Sequence, residues 1–459
     1  MEELNLLKDK ILGLLIKKNY HELRNLFDSL EPADIGSIFE DLPKESLPLL
    51  FRLLSKEQAA EVFVEINSDM QELLIEGFSD SELKEVLDEL YLDDTVDIIE
   101  EMPANVVKRI LKHSDPNVRT SINEILKYPK YSAGSIMTIE FVDLKKNMTV
   151  EDAFTRIRRT GVDKETIYTC YVTDENRVLL GLVSVKDLLL ADYSEIIGDI
   201  METNVIYVNT LDDQEDAAQN FGKYDFLALP VVDNEKRLVG IITVDDAIDV
   251  IQEENTEDIE KMAAIMPTDK SYMQTGVFET FKKRIPWLLL LMISATFTGK
   301  IINSYERALA SCVILTSFIP MLMDTGGNSG GQSSVTIIRS MSLNDVEMKD
   351  IFKVVWKEIR VALCCGVTLA AANFIKMMIV DRGAIIASGQ NPVMVAAVVC
   401  LTLIATIFFA KLIGCTLPML AKKIGFDPAV MASPFITTIV DAISLMVFFK
   451  IATVMLHIS

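Results

Sequence analysis

The most constraining feature of the sequence is its division into an acidic half and an apolar half. Residues 1–280 carry 28 lysine and arginine residues against 58 aspartate and glutamate residues, a net charge of −30. Residues 281–459 carry 16 basic and 9 acidic residues, a net charge of +7, within long apolar runs. The acidic half argues against nucleic-acid binding, which needs clustered basic side chains, and favours the binding of cations.

Five apolar runs in the second half are long enough to cross a bilayer. They lie near 285–303, 308–338, 360–380, 393–421 and 429–456, and each is close to or above the roughly 20 residues that a membrane helix needs. Basic residues concentrate in the loops of one side, whereas the loops of the other side carry Arg307 and Arg382. The positive-inside rule therefore predicts a five-helix transmembrane domain over 281–459, with the N-terminal region in the cytosol and the C terminus outside.

Residues 1–130 are predicted to form an α-helical domain, because apolar residues recur there at intervals of three and four. The domain also repeats itself. The segments LEPADIGSIFEDLP (30–43) and LYLDDTVDIIEEMP (90–103) align in their acidic, apolar and proline positions. Such self-similarity predicts stacked helix pairs in a small superhelix.

Two copies of one pattern follow, at about 131–200 and 201–252. Each reads as strand, helix, hairpin and helix, and the hairpin turns are DENR in the first copy and DNEK in the second. The doubled order resembles a pair of CBS modules, which implies an α/β tandem pair that senses a ligand, often an adenine nucleotide, and usually dimerises. A spacer without a ligand is the alternative, because a fold alone does not give a function.

An acidic connecting segment, 245–280, is predicted between the second module and the membrane. Residues 245–260 contain eight acids and no base. On a single helix Asp246, Asp249 and Glu257 share one stripe, and like charges at this spacing destabilise a helix. Divalent cations would relieve the repulsion, so the pattern predicts a metal sensor. A solvated acidic face is the alternative.

Three carboxylates, Asp324, Asp427 and Asp441, interrupt the apolar half. A charged residue at the centre of a membrane helix costs roughly 3 kcal/mol, so one that is retained by default faces a water-filled path. Asp441 lies well inside the last run and is the strongest candidate for an ion ligand. Asp427 precedes a proline, so capping of the last helix and a role at a pore mouth are both open.

The stretch PMLMDTGGNSGGQSS (320–334) places glycines and amides inside an apolar run. The backbone carbonyl of Gly327 and the side-chain amide of Asn328 offer neutral oxygen ligands beside Asp324. Hard divalent cations such as Mg²⁺ take oxygen ligands only. A packing seam of small residues would explain the glycines but not the amides or the aspartate.

Several other functions are disfavoured by the motifs. The six cysteines have no CxxC or Cys/His zinc spacing and read as small apolar residues in a reducing compartment. The sequence shows no Walker loop and no nucleophile with a paired histidine, so we predict no enzyme. The N-terminal MEELNLLKDK lacks the short apolar core of a signal peptide.

Taken together, FIPMLMDTGGNSGGQSS, the acidic segment, the paired modules and the helical N-domain resemble the MgtE family of magnesium channels over nearly the whole chain. The resemblance implies a homodimer with five membrane helices per subunit and a central pore from the second and fifth. It implies closure when cytosolic Mg²⁺ bridges the N-domain, the CBS modules and the connecting helix. By the same resemblance, Asp441 corresponds to the pore carboxylate and Asp427 corresponds to the acid at the pore mouth. The family pattern requires no acid at Asp324.

The same resemblance implies the regulatory and nucleotide ligands. The regulatory Mg²⁺ ligands would be Glu61, Asp94, Asp97, Asp213, Glu215, Asp225, Asp246, Asp249, Glu254, Glu257 and Asp258. Some relatives bind ATP at the CBS pair, which would involve Lys186, Asp187, Phe226 and Pro230.

The sequence therefore predicts a Mg²⁺-selective channel of the cytoplasmic (inner) membrane that its own ion closes. An ion-coupled transporter of another divalent cation, such as Co²⁺, Mn²⁺ or Ni²⁺, is the alternative, with Asp324 and Asp441 as the coupling pair. A nucleotide-sensing receptor without permeation is a third reading, but it leaves Asp441 unexplained.

Overall fold

The computed structural model describes residues 2–268, 272, 275–306, 310, 312–431 and 433–457. Arg307 lies outside the described residues. The chain forms two compact units, the first ending at Ile251 and the second beginning at Gln252.

The N-terminal part of the first unit is helical, as the periodicity predicts. Within the described residues its α-helices are α1 Glu2–Ile16, α2 Tyr20–Phe27, α3 Pro32–Glu40, α4 Leu47–Phe51, α5 Lys56–Glu65, α6 Ser68–Gly77, α7 Asp80–Leu87, α8 Leu92–Glu101, α9 Ala104–His113 and α10 Pro116–Ile125. Helix α3 packs on α5, α5 on α7, and α7 on α9. Alternate helices therefore stack, which is the arrangement that the internal repeat predicts.

The two repeated segments form α3 and α8, and both bury the same positions. Ile38 and Phe39 of α3 are buried, as are the matching Ile98 and Ile99 of α8. The prolines that end the two segments lie just beyond the helices, where a residue without a backbone N–H stops helix growth. Each repeat thus contributes one apolar helix face to a continuous core.

Two three-stranded sheets follow in the order that the doubled pattern predicts. The first module contains β1 Asp143–Lys145, α11 Val150–Thr160, β2 Thr169–Thr173, β3 Leu179–Ser184 and α12 Val185–Leu190; α13 Ile197–Ile200 leads to β4 Val208–Asn209, α14 Gln214–Tyr224, β5 Ala228–Val232, β6 Leu238–Thr243 and α15 Val244–Met262. In each sheet the first strand runs parallel to the second, and the second antiparallel to the third. The hairpin turns place Arg177 and Lys236 at positive φ.

The acidic connecting segment is shorter as a helix than the predicted 245–280. Helix α15 ends at Met262, and the next helix begins at Val277. The chain between them contains Ala264 at positive φ and Pro267, which cannot donate a helical hydrogen bond. The acidic stripe therefore belongs to α15 alone.

The second unit is built from long helices. They are α16 Val277–Ser304, α17 Ile319–Ser342, α18 Ile351–Lys376, α19 Arg382–Ala387, α20 Pro392–Lys423 and α21 Ser433–Leu456. Among the described residues, four segments are long and apolar enough to cross a membrane: Val277–Ser304, Met348–Ala387, Pro392–Lys423 and Pro428–Leu456. The predicted run 308–338 falls largely on α17, whose glycines and amides lower its hydropathy, so the five-helix topology stays a prediction.

Glycines let α17 approach its two neighbours closely. A Cβ at Gly414 of α20 would lie 2.3 Å from the carbonyl oxygen of Gly330, and a Cβ at Gly327 would lie 2.9 Å from the Thr437 side chain of α21. Only glycine allows such contacts. The packing seam that was an alternative for the glycines is therefore present, and it leaves the roles of the amides and of Asp324 open.

Candidate functional site

The first unit concentrates carboxylates where α8, the first CBS module and the start of α15 meet. We call this group the acidic cluster; it comprises Glu65, Asp93, Asp94, Asp97, Glu140, Glu165, Asp245, Asp246 and Asp249. The long-range partners that act on these groups are other carboxylates of the same cluster. The cluster is therefore a region of like charge held together by the fold.

The centre of the acidic cluster is formed by Asp93, Glu140 and Glu165. One carboxylate oxygen from each lies within 4.8 Å of the others. Asp93 is 6% exposed and accepts a hydrogen bond from the backbone N–H of Asp94, 3.0 Å away. The backbone N–H of Leu92 donates to Glu140 at 3.3 Å. Oxygen Oε2 of Glu165 is buried and has no hydrogen-bond partner among the described residues.

Burial and mutual repulsion raise the pKa values of these acids. Burial raises the pKa of Asp93 to about 7, with a further contribution from Asp94. Burial and then Asp93 raise the pKa of Asp246 to about 7, and the same two causes raise the pKa of Glu165 to about 9. Removing water disfavours the ionised form of a carboxyl group, and each neighbouring negative charge disfavours it further.

The pKa values of the outer members of the cluster are raised as well. Burial and then Asp246 raise the pKa of Asp94 to about 7. The pKa of Asp97 is raised to about 8, by the surrounding protein and then by Asp246, although its side chain still reaches solvent. Partial removal of water and then Asp249 raise the pKa of Glu65 on α5. The raised pKa values therefore extend from the centre of the cluster to its outer members.

The chemistry of the acidic cluster fits a divalent metal ion. Its ligand atoms are all carboxylate oxygens, the preferred ligands of Mg²⁺ and Ca²⁺. An ion among them would neutralise the repulsion and would give the buried Glu165 oxygen a partner that none of the described residues supplies. Buried charges are usually paired or bound to metal. A cation bound among these carboxylates would provide the opposite charge that they need.

The cluster contains four of the predicted regulatory residues, namely Asp94, Asp97, Asp246 and Asp249. Others lie elsewhere in the first unit. Asp213 and Glu215 lie at the start of α14, where Asp213 accepts a hydrogen bond from the N–H of Glu215 at 2.8 Å. Asp225 ends the same helix in a left-handed conformation, about 16 Å away along its axis. Within one chain these residues do not form one site. Glu61 lies exposed on α5, one turn before Glu65.

Sequence reasoning missed the centre of the cluster. Asp93 is buried on the same face of α8 as Val96 and Ile99, and an acid on an apolar face is the signal that would have singled it out. Glu140 and Glu165 lie in the first CBS module, outside the helices. No spacing in the sequence relates them to α8, because their proximity arises only from tertiary structure.

Of the four predicted nucleotide ligands, Lys186 and Asp187 lie in the first CBS module, and Phe226 and Pro230 lie in the second. Lys186 and Asp187 are exposed in the first turn of α12, and the Asp187 carboxylate completes a capping box with Ser184. Phe226 follows α14 and stacks on Tyr224 with ring centroids 5.4 Å apart. Pro230 is buried in β5. Asp187 thus has a structural role as a helix cap whether or not a nucleotide binds.

In the second unit, the predicted pore residues lie on α17 and α21. The carboxylates of Asp324 on α17 and Asp441 on α21 are near enough to interact electrostatically. The Nδ2 atom of Asn328 donates to Asp324 Oδ1 at 3.1 Å, and both side chains are exposed on the surface of the unit. Gly327 is buried against Thr437. Asp324 and Asn328 therefore form a hydrogen-bonded polar pair on the exposed side of α17.

Asp427 makes two contacts at the loop between α20 and α21. Its Oδ1 accepts a hydrogen bond from the N–H of Ala429 at 2.8 Å, so it caps the short 3₁₀ turn Pro428–Met431 that precedes the last helix. Its Oδ2 lies 2.6 Å from the Nζ of Lys261, which also lies 2.6 Å from Glu257 Oε1. Glu254 and Asp258 are half-buried on the same part of α15.

A buried charge pair joins three of the long helices, and sequence reasoning did not identify it. Lys411 of α20 is 6% exposed, and its Nζ lies 3.8 Å from Glu358 Oε2 of α18. The hydroxyl of Ser333 on α17 donates to Glu358 at 2.6 Å and accepts from Lys411 at 3.2 Å. A lysine inside the apolar run FFAKLIG was the available signal.

Comparison with known proteins identifies the family. Models of three domain families match the chain: the divalent cation transporter domain of MgtE at 319–451, the MgtE intracellular N domain at 30–131, and CBS domains at 133–194 and 197–253. A magnesium transporter MgtE of Thermus thermophilus is 35% identical over 439 residues, which cover 95% of each chain. The chain belongs to the MgtE family.

Other members of the MgtE family match over similar lengths. The magnesium transporter MgtE of Bacillus subtilis is 31% identical and covers 98% of this chain and 97% of its own. The first part of the fold matches the crystal structure of the cytosolic domain of the Mg²⁺ channel MgtE in complex with ATP. That match has a TM-score of 0.51 and 36% identity, and it covers 53% of this chain and 99% of the solved one.

The raised pKa values predict how pH acts on the first unit. Asp93 and Asp246 have pKa values of about 7 in the folded chain against about 4 when unfolded. The folded state therefore binds more protons, so their contribution to stability is complete below about pH 4 and is lost as pH rises through about pH 7. We expect the thermal unfolding of this unit, measured on the full chain in EDTA, to shift to lower temperature from about pH 5 to about pH 8.

Added Mg²⁺ should restore the lost stability at the higher pH, with release of protons, because metal binding requires deprotonated ligands. The variant Asp93→Asn/Asp246→Asn should flatten the pH dependence. An equally steep pH dependence in that variant would exclude the cluster as its source.

Because Lys411 and Glu358 form a buried pair, we predict that the stability losses caused by replacing each residue alone do not add up in the double variant. Removing one member of a buried pair costs about 3–5 kcal/mol, because it leaves an uncompensated charge, whereas removing both is often close to neutral. Lys411→Met and Glu358→Gln should each lower the melting temperature of the full chain in detergent, and the double variant should recover most of the loss. Lys353→Met is the control, since Lys353 forms an exposed ion pair with Asp350 and should change little. Additive losses in the double variant would contradict the pairing.

Proposed function

We propose that this chain is a Mg²⁺-selective channel of the cytoplasmic membrane that cytosolic Mg²⁺ closes. The observation that carries the proposal is the acidic cluster, in which carboxylate oxygens of Asp93, Glu140 and Glu165 lie within 4.8 Å of one another. The names of the full-length relatives, which are magnesium transporters of the MgtE family, support the choice of ion. Four apolar helical segments of membrane length support the location.

Closure follows from differential binding of the ion. When cytosolic Mg²⁺ is scarce, the ionised acids at the centre of the cluster repel one another and disfavour the packed arrangement of α8, the first CBS module and α15. When Mg²⁺ is abundant, the ion stabilises that arrangement alone, and the population shifts toward it. An ion with equal affinity for both arrangements would shift nothing. The remaining regulatory residues, such as Asp213 and Asp225, would complete sites with a second chain.

The permeation path is proposed along Asp324, Asn328 and Asp441, with the carbonyl of Gly327 nearby and Asp427 at the cytosolic mouth. These side chains lie on α17 and α21, and Asp324 and Asn328 are exposed on the surface of one protomer. Exposed carboxylates at membrane depth would be costly against lipid. A homodimer that brings two copies of this polar surface together would place them along a hydrated path. The five-helix arrangement, including α17, is part of this proposal.

ATP is proposed as an additional ligand of the CBS pair. Support comes from the solved cytosolic domain that contains ATP and from the placement of Lys186 and Phe226 at element ends.

A second candidate is an ion-coupled transporter of another divalent cation. The proximity of Asp324 to Asp441 favours it, because two neighbouring carboxylates suit a proton-coupled exchange. Flux that depends on a proton gradient would support this candidate, and flux that is independent of the gradient would support the channel.

The variant Asp441→Asn tests the permeation path. Loss of the charge should lower Mg²⁺ entry into dye-loaded proteoliposomes by at least about tenfold, the factor that roughly 1.4 kcal/mol of lost stabilisation gives. Asp345→Asn is the control, since Asp345 is an exposed acid in the loop after α17. Undiminished entry in Asp441→Asn, with the protein folded, would exclude Asp441 from the path.

A further inference from the structure

The last turns of α15 are attached to the cytosolic end of the long helices by three contacts, all within the second unit. Arg339 Nη1 of α17 donates to Asn255 Oδ1 at 2.9 Å. Met262 packs on the buried Ile338 and Ala429. The third contact is Lys261, whose side chain reaches the loop that contains Asp427. The end of α15 is therefore docked by a hydrogen bond, an apolar contact and an ionic contact.

The ionic contact has the geometry of a bridging cation. The Nζ of Lys261 lies 2.6 Å from Glu257 Oε1 and 2.6 Å from Asp427 Oδ2. It is the single base in the stretch of α15 from 245 to 262, which holds eight acids. The Lys261 side chain is 23% exposed, and those of its two partners are 37% and 34% exposed. The ammonium therefore occupies the position in which a metal ion would meet both carboxylates.

We propose that Lys261 is a tethered cation that positions Asp427 and competes with divalent ions for the Glu257–Asp427 pair. It holds the docked end of α15 without metal, where two bare carboxylates facing each other would repel. A divalent ion that reaches this pair must first displace the ammonium. This inference rests on the proposed function, in which Asp427 lies at the cytosolic mouth of the ion path.

The negative charges at the two ends of α15 are neutralised in different ways. Asp246, near the start, belongs to a cluster whose long-range partners are carboxylates, so protons or a metal ion would neutralise its charge. Glu257, near the end, has a lysine one turn away. Lys261 therefore makes docking of the last turns less sensitive to Mg²⁺ than the arrangement of the first turns.

The test counts bound Mn²⁺ on the full chain in detergent by electron paramagnetic resonance. Replacing Lys261 should open the carboxylate pair to metal, so that Lys261→Met binds one additional Mn²⁺ per chain. Lys261→Gln, which keeps a polar side chain, should behave in the same way and guards against a folding defect of the first variant. Lys261→Arg keeps the charge and should bind as many ions as the wild type. In the double variant Lys261→Met/Glu257→Gln the gain should disappear.

Lys423→Met is the matched control, because Lys423 is an exposed base at the end of α20. An equal gain of Mn²⁺ in Lys423→Met would show that the gain comes from the change in net charge alone, and it would overturn the proposal. An unchanged Mn²⁺ count in both Lys261→Met and Lys261→Gln would also overturn it.

Excised-patch currents give a second readout. Their inhibition by cytosolic Mg²⁺ should become steeper in Lys261→Met, because one more ion takes part. Wild-type currents that Mg²⁺ inhibits, together with an unchanged Mn²⁺ count in the variants, would overturn this inference alone. A wild type that carries no Mg²⁺ current would instead overturn the proposed function.

Discussion

Repulsion among carboxylates that the fold brings together is the constraint on which the rest of this structure depends. Asp93 is almost fully buried on α8 and shares its surroundings with Glu140, Glu165 and Asp246. Burying charges without partners is among the most costly arrangements in a protein. Protons or metal ions among these acids would therefore stabilise the first unit. Its stability is in this way expected to depend on pH.

Helix α15 connects this constraint to the rest of the chain, because its residues belong to both units. Asp246 and Asp249, in its first turns, take part in the acidic cluster of the first unit. Its last turns are docked within the second unit through Asn255, Lys261 and Met262. Under the proposed function, a change in metal occupancy in the acidic cluster would act on the helix whose other end lies against the Asp427 loop.

Much of the architecture could be predicted from the sequence. The repeat at 30–43 and 90–103 gave the stacked helices, and the doubled strand and hairpin pattern gave the two sheets, because these patterns are local and periodic. The end of α15 at Met262 was harder to predict from the sequence, because it depends on how the chain turns before Pro267. The glycines of α17 were recognised as unusual, but their close contacts with Gly414 and Thr437 depend on which helices are neighbours.

The candidate sites were predictable where acids are dense along the chain and not where they converge from distant segments. The acidic stripe singled out Asp246 and Asp249, whereas Asp94 and Asp97 were implied by the family resemblance, and all four lie in the acidic cluster. Glu140 and Glu165 were missed because nothing local distinguishes them from ordinary surface acids. Lys411 and Lys261 were missed for a related reason. Each lysine contacts a carboxylate that is distant in the sequence, Glu358 for Lys411 and Asp427 for Lys261.

The most direct test is the current through excised inside-out patches, with Mg²⁺ as the charge carrier in the pipette and variable Mg²⁺ on the cytosolic face. Wild-type protein should be compared with Asp93→Asn/Asp246→Asn, and Asp69→Asn, an exposed acid in the first turn of α6, controls for charge. If metal in the acidic cluster closes the path, the double variant should conduct normally but need at least about fivefold more cytosolic Mg²⁺ for half-inhibition, the lower end of typical coupling between sites. An inhibition curve identical to that of the wild type would show that closure does not depend on this cluster.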